Sequence, residues 1–263
     1  QNIREITYDP TFSEYEQYNN NTDWRKAVTQ TGLRQNHYVS VTGGGEKASF
    51  RIGGGFDHET GTMIKQKLDR FSTRVALDYY ISERIRVSTN FALTYTKNYM
   101  NSDNLLDIAM KKMPNMGIYE QDPVTGEDTN RYYQMLQSAS SEFNPSSGKV
   151  DNQKAYVNPV ASANLAKNNR STYDLVPELV LNYRLLGMDE DHLQLNWQGS
   201  VLMSVFNQYD SSFYPAELKT VSWADGVNTA NSGNSKSVNF NTKQTLTLIP
   251  HFNNKDHSFM MMG

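Results

Sequence analysis

The side chains that could do acid, base or metal chemistry are thinly and unhelpfully spread in this sequence. Five histidines, His37, His58, His192, His251 and His257, are scattered, and no two share the helical spacing of a metal pair. There is no cysteine, which excludes a disulfide framework, a thiolate zinc site and a thiol nucleophile. Gly53-Gly54-Gly55 is not followed by the Lys-Ser/Thr pair and helix start of a phosphate loop. It is instead the signature of a strand approached closely by another backbone or a large aromatic ring. The stretch around Asp122, Pro123, Gly126, Glu127 and Asp128 lacks the spaced ligands of a calcium loop and reads as a polar turn. No Gly-x-Ser-x-Gly elbow is present. Carboxylates are plentiful, and a glycosidase would need two of them converging in a cleft, but no pair stands out. The sequence therefore predicts no enzyme, no catalytic residue, no metal and no cofactor. A formal net charge of -3 gives no footprint for nucleic acid.

What remains is recognition by aromatic rings. Tyr119, Tyr132 and Tyr133 lie in one long connection, and Tyr214 and Trp223 in a later one. Such rings stack on sugar faces or grip peptide, and these five are the candidate ligand-binding residues.

The elements that must position them are strands. Phe71, Thr73, Val75, Leu77, Tyr79 and Ile81 alternate with Ser72, Arg74, Ala76, Asp78 and Tyr80, a period of two with one apolar face. After Ser82-Glu83 the pattern resumes, with Ile85, Val87, Phe91, Leu93 and Tyr95 against Arg86, Ser88, Asn90 and Thr94. Shorter alternations run from His37 to Val41 and from Ser49 to Phe56. Longer ones run from Tyr173 to Leu185 and from Leu193 to Met203, a weaker one from Val238 to Phe252, and a last begins at His257. Arg51, Arg74, Arg86, Arg184, Asp78 and Glu178 all fall on the polar parity, so a one-residue slip would turn every one of them over. Within 98–170 the sequence predicts one helix, from Asp103 as cap to Met113, stopped by Pro114, with Leu106, Met110 and Met113 as its packing stripe.

Strand length and loop length then choose between two architectures. Several alternations run to about 13 residues, against about 5–6 in soluble sheets and 9–11 for a tilted membrane strand. Short turns at 43–47, 82–83, 187–191 and 253–256 alternate with long connections at 57–68, 98–170 and 208–236. That segregation is the pattern of an outer-membrane barrel, short turns on the periplasmic rim and long loops outside. The expected fold is all-β, part of a large antiparallel transmembrane β-barrel with about 8–9 long strands in this chain. Residues 1–35 are expected to form an extracellular loop region, 36–98 the first strands, 99–170 a long extracellular loop with a short helix, and 171–263 further strands. The hydrophobic content of 37% fits strands that spend every second residue on a polar lumen. The rival is a soluble β-rich carbohydrate-binding or adhesin domain.

Specific residues also resemble a known family. Asn21-Thr22-Asp23-Trp24, followed by Asn36-His37-Tyr38-Val39-Ser40-Val41-Thr42-Gly43-Gly44, resembles the SusC/RagA class of TonB-dependent outer-membrane transporters. Phe71 to Asp78, Val87 to Tyr95, Asn158-Pro159-Val160-Ala161 and Asp256-His257-Ser258 are similar to further landmarks of that class. Asp57 and His58 depart from it. The resemblance implies a plugged barrel of roughly 22 strands. It implies energised import of oligosaccharides or peptides in a Bacteroidota-type Gram-negative outer membrane. The implied partners are a SusD-like surface lipoprotein, the TonB complex and outer-membrane lipid. It also implies a plug and a first barrel strand before residue 1, and more strands after residue 263. A sheet of eight or nine such strands has two unpaired edges, which lipid does not tolerate, so the chain reads as one segment of a full transporter.

Overall fold

A computed structural model describes residues 19–122, 124–134, 143–144, 149–150, 156–188, 193–218, 226–251 and 259–263. The long alternations form strands β1 (Arg34–Gly44), β2 (Ala48–Thr60), β3 (Lys67–Tyr80) and β4 (Ile85–Met100), then β9 (Lys167–Leu186), β10 (Gln194–Tyr214) and β11 (Thr229–Ile249), with the short β12 (Met261–Met262). Together they make one eight-stranded antiparallel sheet in the order β1-β2-β3-β4-β9-β10-β11-β12. Between β4 and β9 lie helix α2 (Leu105–Lys111), hairpins β5 (Tyr119–Gln121)–β6 (Asp128–Tyr132) and β7 (Phe143–Asn144)–β8 (Lys149–Val150), and helix α3 (Pro159–Leu165). Helix α1 (Trp24–Val28) precedes β1, and a 3-10 turn (Ala216–Leu218) follows β10.

The register sorts the side chains as alternation requires. Residues directly opposite one another share a face. Val41 faces Ile52, Ile52 faces Val75, Val75 faces Phe91, and Phe91 faces Pro177. Leu179 faces Val201, and Met203 faces Phe240. One apolar surface thus crosses seven strands without a break. Arg51, Arg74, Asp78, Arg86 and Glu178 all lie on the other face. Arg86 donates to Asp78 at 2.8 Å, and Asn90 donates to Glu178 at 3.2 Å. That polar face is mixed on β9 and β10, where Val176, Val180, Leu202 and Phe206 share its parity.

Several expectations need correction. β1 begins at Arg34, and β2 runs on to Thr60 while β3 starts at Lys67, so the connection expected at 57–68 shrinks to 61–66. Cross-strand pairs such as His58 with Asp69 extend the hairpin where few apolar residues signal it. β10 and β11 likewise shorten the connection expected at 208–236 to 215–228. A register irregularity at Leu195/Asn196 puts Leu186, not Leu185, opposite Leu195 on the apolar face. The turns at 189–191 and 253–256 lie outside the described residues.

The triple glycine does make room for an aromatic ring. Tyr38 lies across Gly53 and Gly55, so close that a Cβ on Gly53 would collide with its hydroxyl. That leaves Tyr38 itself on the open polar face.

Candidate functional site

Water-excluded packing lies off the sheet, in a cap over the end of the strands where β4 stops and β9 begins. Trp24, Val28, Leu105, Ala109, Met116, Tyr133, Val160 and Ala163 form one buried cluster, and Val157, Ala161 and Leu218 a second. None of these lies on a strand of the large sheet.

The cap is assembled from short capped helices tied by hydrogen bonds. Asp23 caps α1, accepting from Lys26 N at 2.9 Å. The Trp24 indole donates to the Met113 carbonyl at 2.8 Å, and Thr22 Oγ1 donates to the Met116 carbonyl at 2.7 Å. The segment before β1 is thereby stitched to the segment after α2. Asn158 caps α3 with Pro159 in its first turn, accepting from Val160 N and Ala161 N. Its amide donates to the Ile118 carbonyl at 2.7 Å and the Tyr133 carbonyl at 3.1 Å. At 1% exposure, the Asn158 side chain uses both its oxygen and its nitrogen, so it joins α3 to the β5–β6 hairpin.

Helix α2 ends at Lys111 rather than Met113 and differs from its expectation in two further ways. Its cap is Asn104, not Asp103. Asp103 instead accepts from Ser162 Oγ of α3 and from the Tyr214 hydroxyl at 3.2 Å, fastening cap to strand end. The packing face is Leu105 and Ala109, whereas Leu106, Met110 and Met113 are exposed, Met110 by 69%. Leu105 and Ala109 share the buried cluster with Trp24 and Val28 of α1 and Val160 and Ala163 of α3. Lys112, at the end of α2, is 8% exposed, and burial pulls its ammonium down to about 8.

The five candidate rings can now be placed. Tyr119 and Tyr132 stack across the β5–β6 hairpin with centroids 5.1 Å apart. Tyr132 also packs against both buried clusters, and burial raises its phenol. Tyr133 is in the first cluster, 8% exposed. Tyr214 packs against the second and bonds Asp103. Trp223 lies outside the described residues. Three of the five therefore belong to one cap and Tyr214 packs against it from the end of β10, with Tyr119 and Tyr132 presenting a paired ring surface. The 122–128 turn spends its Asp122 carboxylate on the backbone N–H groups of Val124 and Thr125, at 2.7 and 3.1 Å. The chain-distant partners Trp24 and Asn158 are the residues that spacing did not reveal as organisers. Their local signals are the Asp and Asn caps and the two short motifs, Asn21 to Trp24 and Asn158 to Ala161, that resemble family landmarks.

No family model matches the chain. Among curated proteins it is 24% identical over 167 residues to the TonB-dependent receptor SusC of Bacteroides thetaiotaomicron, covering 62% of this chain and 16% of that protein. It is 25% identical over 166 residues to the TonB-dependent receptor P3 of Formosa agariphila, covering 57% and 17%. The chain thus spans about a sixth of the length of these relatives. Among solved structures, the RagAB peptide transporter superposes with a TM-score of 0.59 at 16% identity, covering 93% of this chain and 25% of that one. The RagAB peptide importer in its "open-open" state gives 0.51 at 17% identity, covering 86% and 22%. Sequence and fold agree: the chain matches a segment of a SusC/RagA-type TonB-dependent transporter, a piece of β-barrel.

Proposed function

We propose that this chain, matching a segment of a SusC/RagA-type transporter, is part of the wall of an outer-membrane barrel that imports nutrients in a TonB-dependent cycle. The observation that carries this is the bounded apolar face. It is crossed at the cap side by an unbroken row of rings, Phe56, Phe71, Tyr95 and Tyr173, each opposite the next. Tyr183 and Trp197, opposite each other, edge the far side. On β4 the face runs from Ile85 to Tyr95. At about 3.4 Å per residue and a tilt of about 45°, that spans roughly 24 Å of bilayer. The apolar band of outer-membrane barrels is about 25 Å tall between aromatic girdles.

In this reading the apolar face meets lipid and the polar face meets the lumen. The cap stands outside and meets a SusD-like surface lipoprotein. Oligosaccharide or peptide is held by cap aromatics, Tyr119 and Tyr132 foremost, with Tyr214 contributing and Tyr133 supporting from the core, and Trp223 is the fifth candidate. The chain's role is transport, not catalysis. The exposed Val39, at 71%, and Phe240, at 65%, argue against a soluble domain, since water gains nothing from such a face.

Fractionation of cells carrying the tagged full-length transporter tests the reading. It predicts recovery in the outer membrane together with a surface lipoprotein, and reduced uptake on Tyr119→Ala with Tyr132→Ala. Recovery as a water-soluble monomer contradicts it and favours the carbohydrate-binding or adhesin domain.

A further inference from the structure

The apolar face ends in cations on the cap side. Just beyond the row of Phe71 and Tyr95, the same parity carries Lys67 and Asp69 on β3 and Lys97 and Tyr99 on β4. The Lys67 ammonium stands 4.4 Å from the centroid of the Tyr99 ring, and that of Lys97 stands 5.0 Å from it. Two like charges are thus gathered on one ring, which tolerates them through its negative face. Asp69, opposite Lys97, is already engaged by His58 Nδ1 at 2.6 Å and by Lys67 at 3.7 Å, and Glu59 at the same strand ends is paired with Arg34 at 2.9 Å. The cluster therefore keeps a positive excess. A depression of about 290 Å³ opens at the same strand ends, with Thr60, Gln66, Lys67 and Tyr99 among its walls. At the opposite border the strand positions on this face read Tyr79, Ile85, Tyr183 and Trp197, with no cation.

We propose that Lys67 and Lys97, gathered on Tyr99, bind the phosphate headgroup of a lipid in the outer leaflet. The inference rests on the outward orientation of the apolar face given above. Lys97 is two residues beyond Tyr95 and Tyr99 is four, about 7 and 14 Å along the strand. At barrel tilt this places the ammonium groups just past the hydrocarbon border, at headgroup depth. The acyl chains then run down the apolar face, and the phosphate meets two ammonium groups. Basic side chains near a membrane surface attract anionic headgroups in this way.

The full-length transporter, stripped of lipid, is reconstituted in phosphatidylcholine nanodiscs doped with increasing bisphosphorylated lipid A, and the lipid A retained is counted by native mass spectrometry. Lys67→Gln with Lys97→Gln should need roughly 10- to 30-fold more lipid A for equal occupancy. Lys67→Arg with Lys97→Arg should bind as the parent does, and Arg74→Gln on the polar face should change nothing. Equal occupancy in the double Gln variant overturns the site. Full displacement of the lipid by inorganic phosphate also overturns it, because the site then reads a free anion. Failure of the parent protein to enter nanodiscs is a different result, and it removes the outer-membrane reading itself.

Discussion

The sheet and the cap invert the usual relation between regular structure and core. Among the described residues the sheet holds the long strands and most of the apolar side chains, yet none of the buried hydrophobic residues belongs to it. The cap is a loop by sequence, with helices of 5 and 7 residues, and it contains the water-excluded clusters. A short helix is not stable alone in water, so these helices exist because they pack on one another. The strands have the opposite need. Inside the sheet their backbone is satisfied by neighbours, and under the proposed function one face of their side chains is left for a solvent other than water. The difference teaches that hydrophobic alternation reports which face is apolar, not whether protein covers it.

The strongest way to break this contrast is in the cap. Trp24→Ala removes a buried indole and its bond to Met113, and should cost the cap about 3–5 kcal/mol. Hydrogen exchange in the full transporter should show this loss in α1, α2 and α3 while the strands keep their protection.

On the sheet, Val75→Arg should cost about 2–4 kcal/mol, as for an arginine at the bilayer midplane. Equilibrium refolding into lipid vesicles reads it. A water-facing position would change by less than about 0.5 kcal/mol.

Lys112 sharpens the comparison through pH. Its folded-state value of about 8 lies below its ordinary value, so the unfolded cap holds the proton more tightly. Cap stability is therefore lowest below pH 8 and rises between about pH 8 and 10.5, by at most about 3 kcal/mol. Lys112→Met should remove that dependence and stabilise the cap at pH 7. Hydrogen exchange in the cap across that range measures both effects.

The smallest effect is expected on the polar face. Asp78→Asn breaks an exposed ion pair with Arg86 and should cost less than about 1 kcal/mol in the same refolding assay.

The sheet was legible in the sequence because its signal is local. Phe71 to Ile81 alternates without a break, and the parity of Arg51, Arg74 and Arg86 follows from neighbours one and two residues away. Strand ends were less legible where polar pairs such as Arg34 with Glu59 extend the ladder, since they carry no alternation of hydrophobicity. The cap was legible only in part. Its aromatics and one helix could be named, but Trp24 meets Met113 across 89 positions, and no period encodes that contact. Helix α2 shows the ambiguity in miniature. Leu105 with Ala109 and Leu106 with Met110 have the same spacing, and the larger pair looked like the core. Close approach of three short helices selects the smaller one.

The central claim is that the apolar face meets lipid and the polar face meets water. Single spin labels at 74, 75, 91 and 92 of the full-length transporter in bilayers test it most directly, read by collision with oxygen and with a water-soluble nickel chelate. Labels at 75 and 91 should collide with oxygen and be shielded from nickel, and those at 74 and 92 should not share that profile. High nickel accessibility at 75 and 91, or immobilised labels there shielded from both reagents, would contradict the claim.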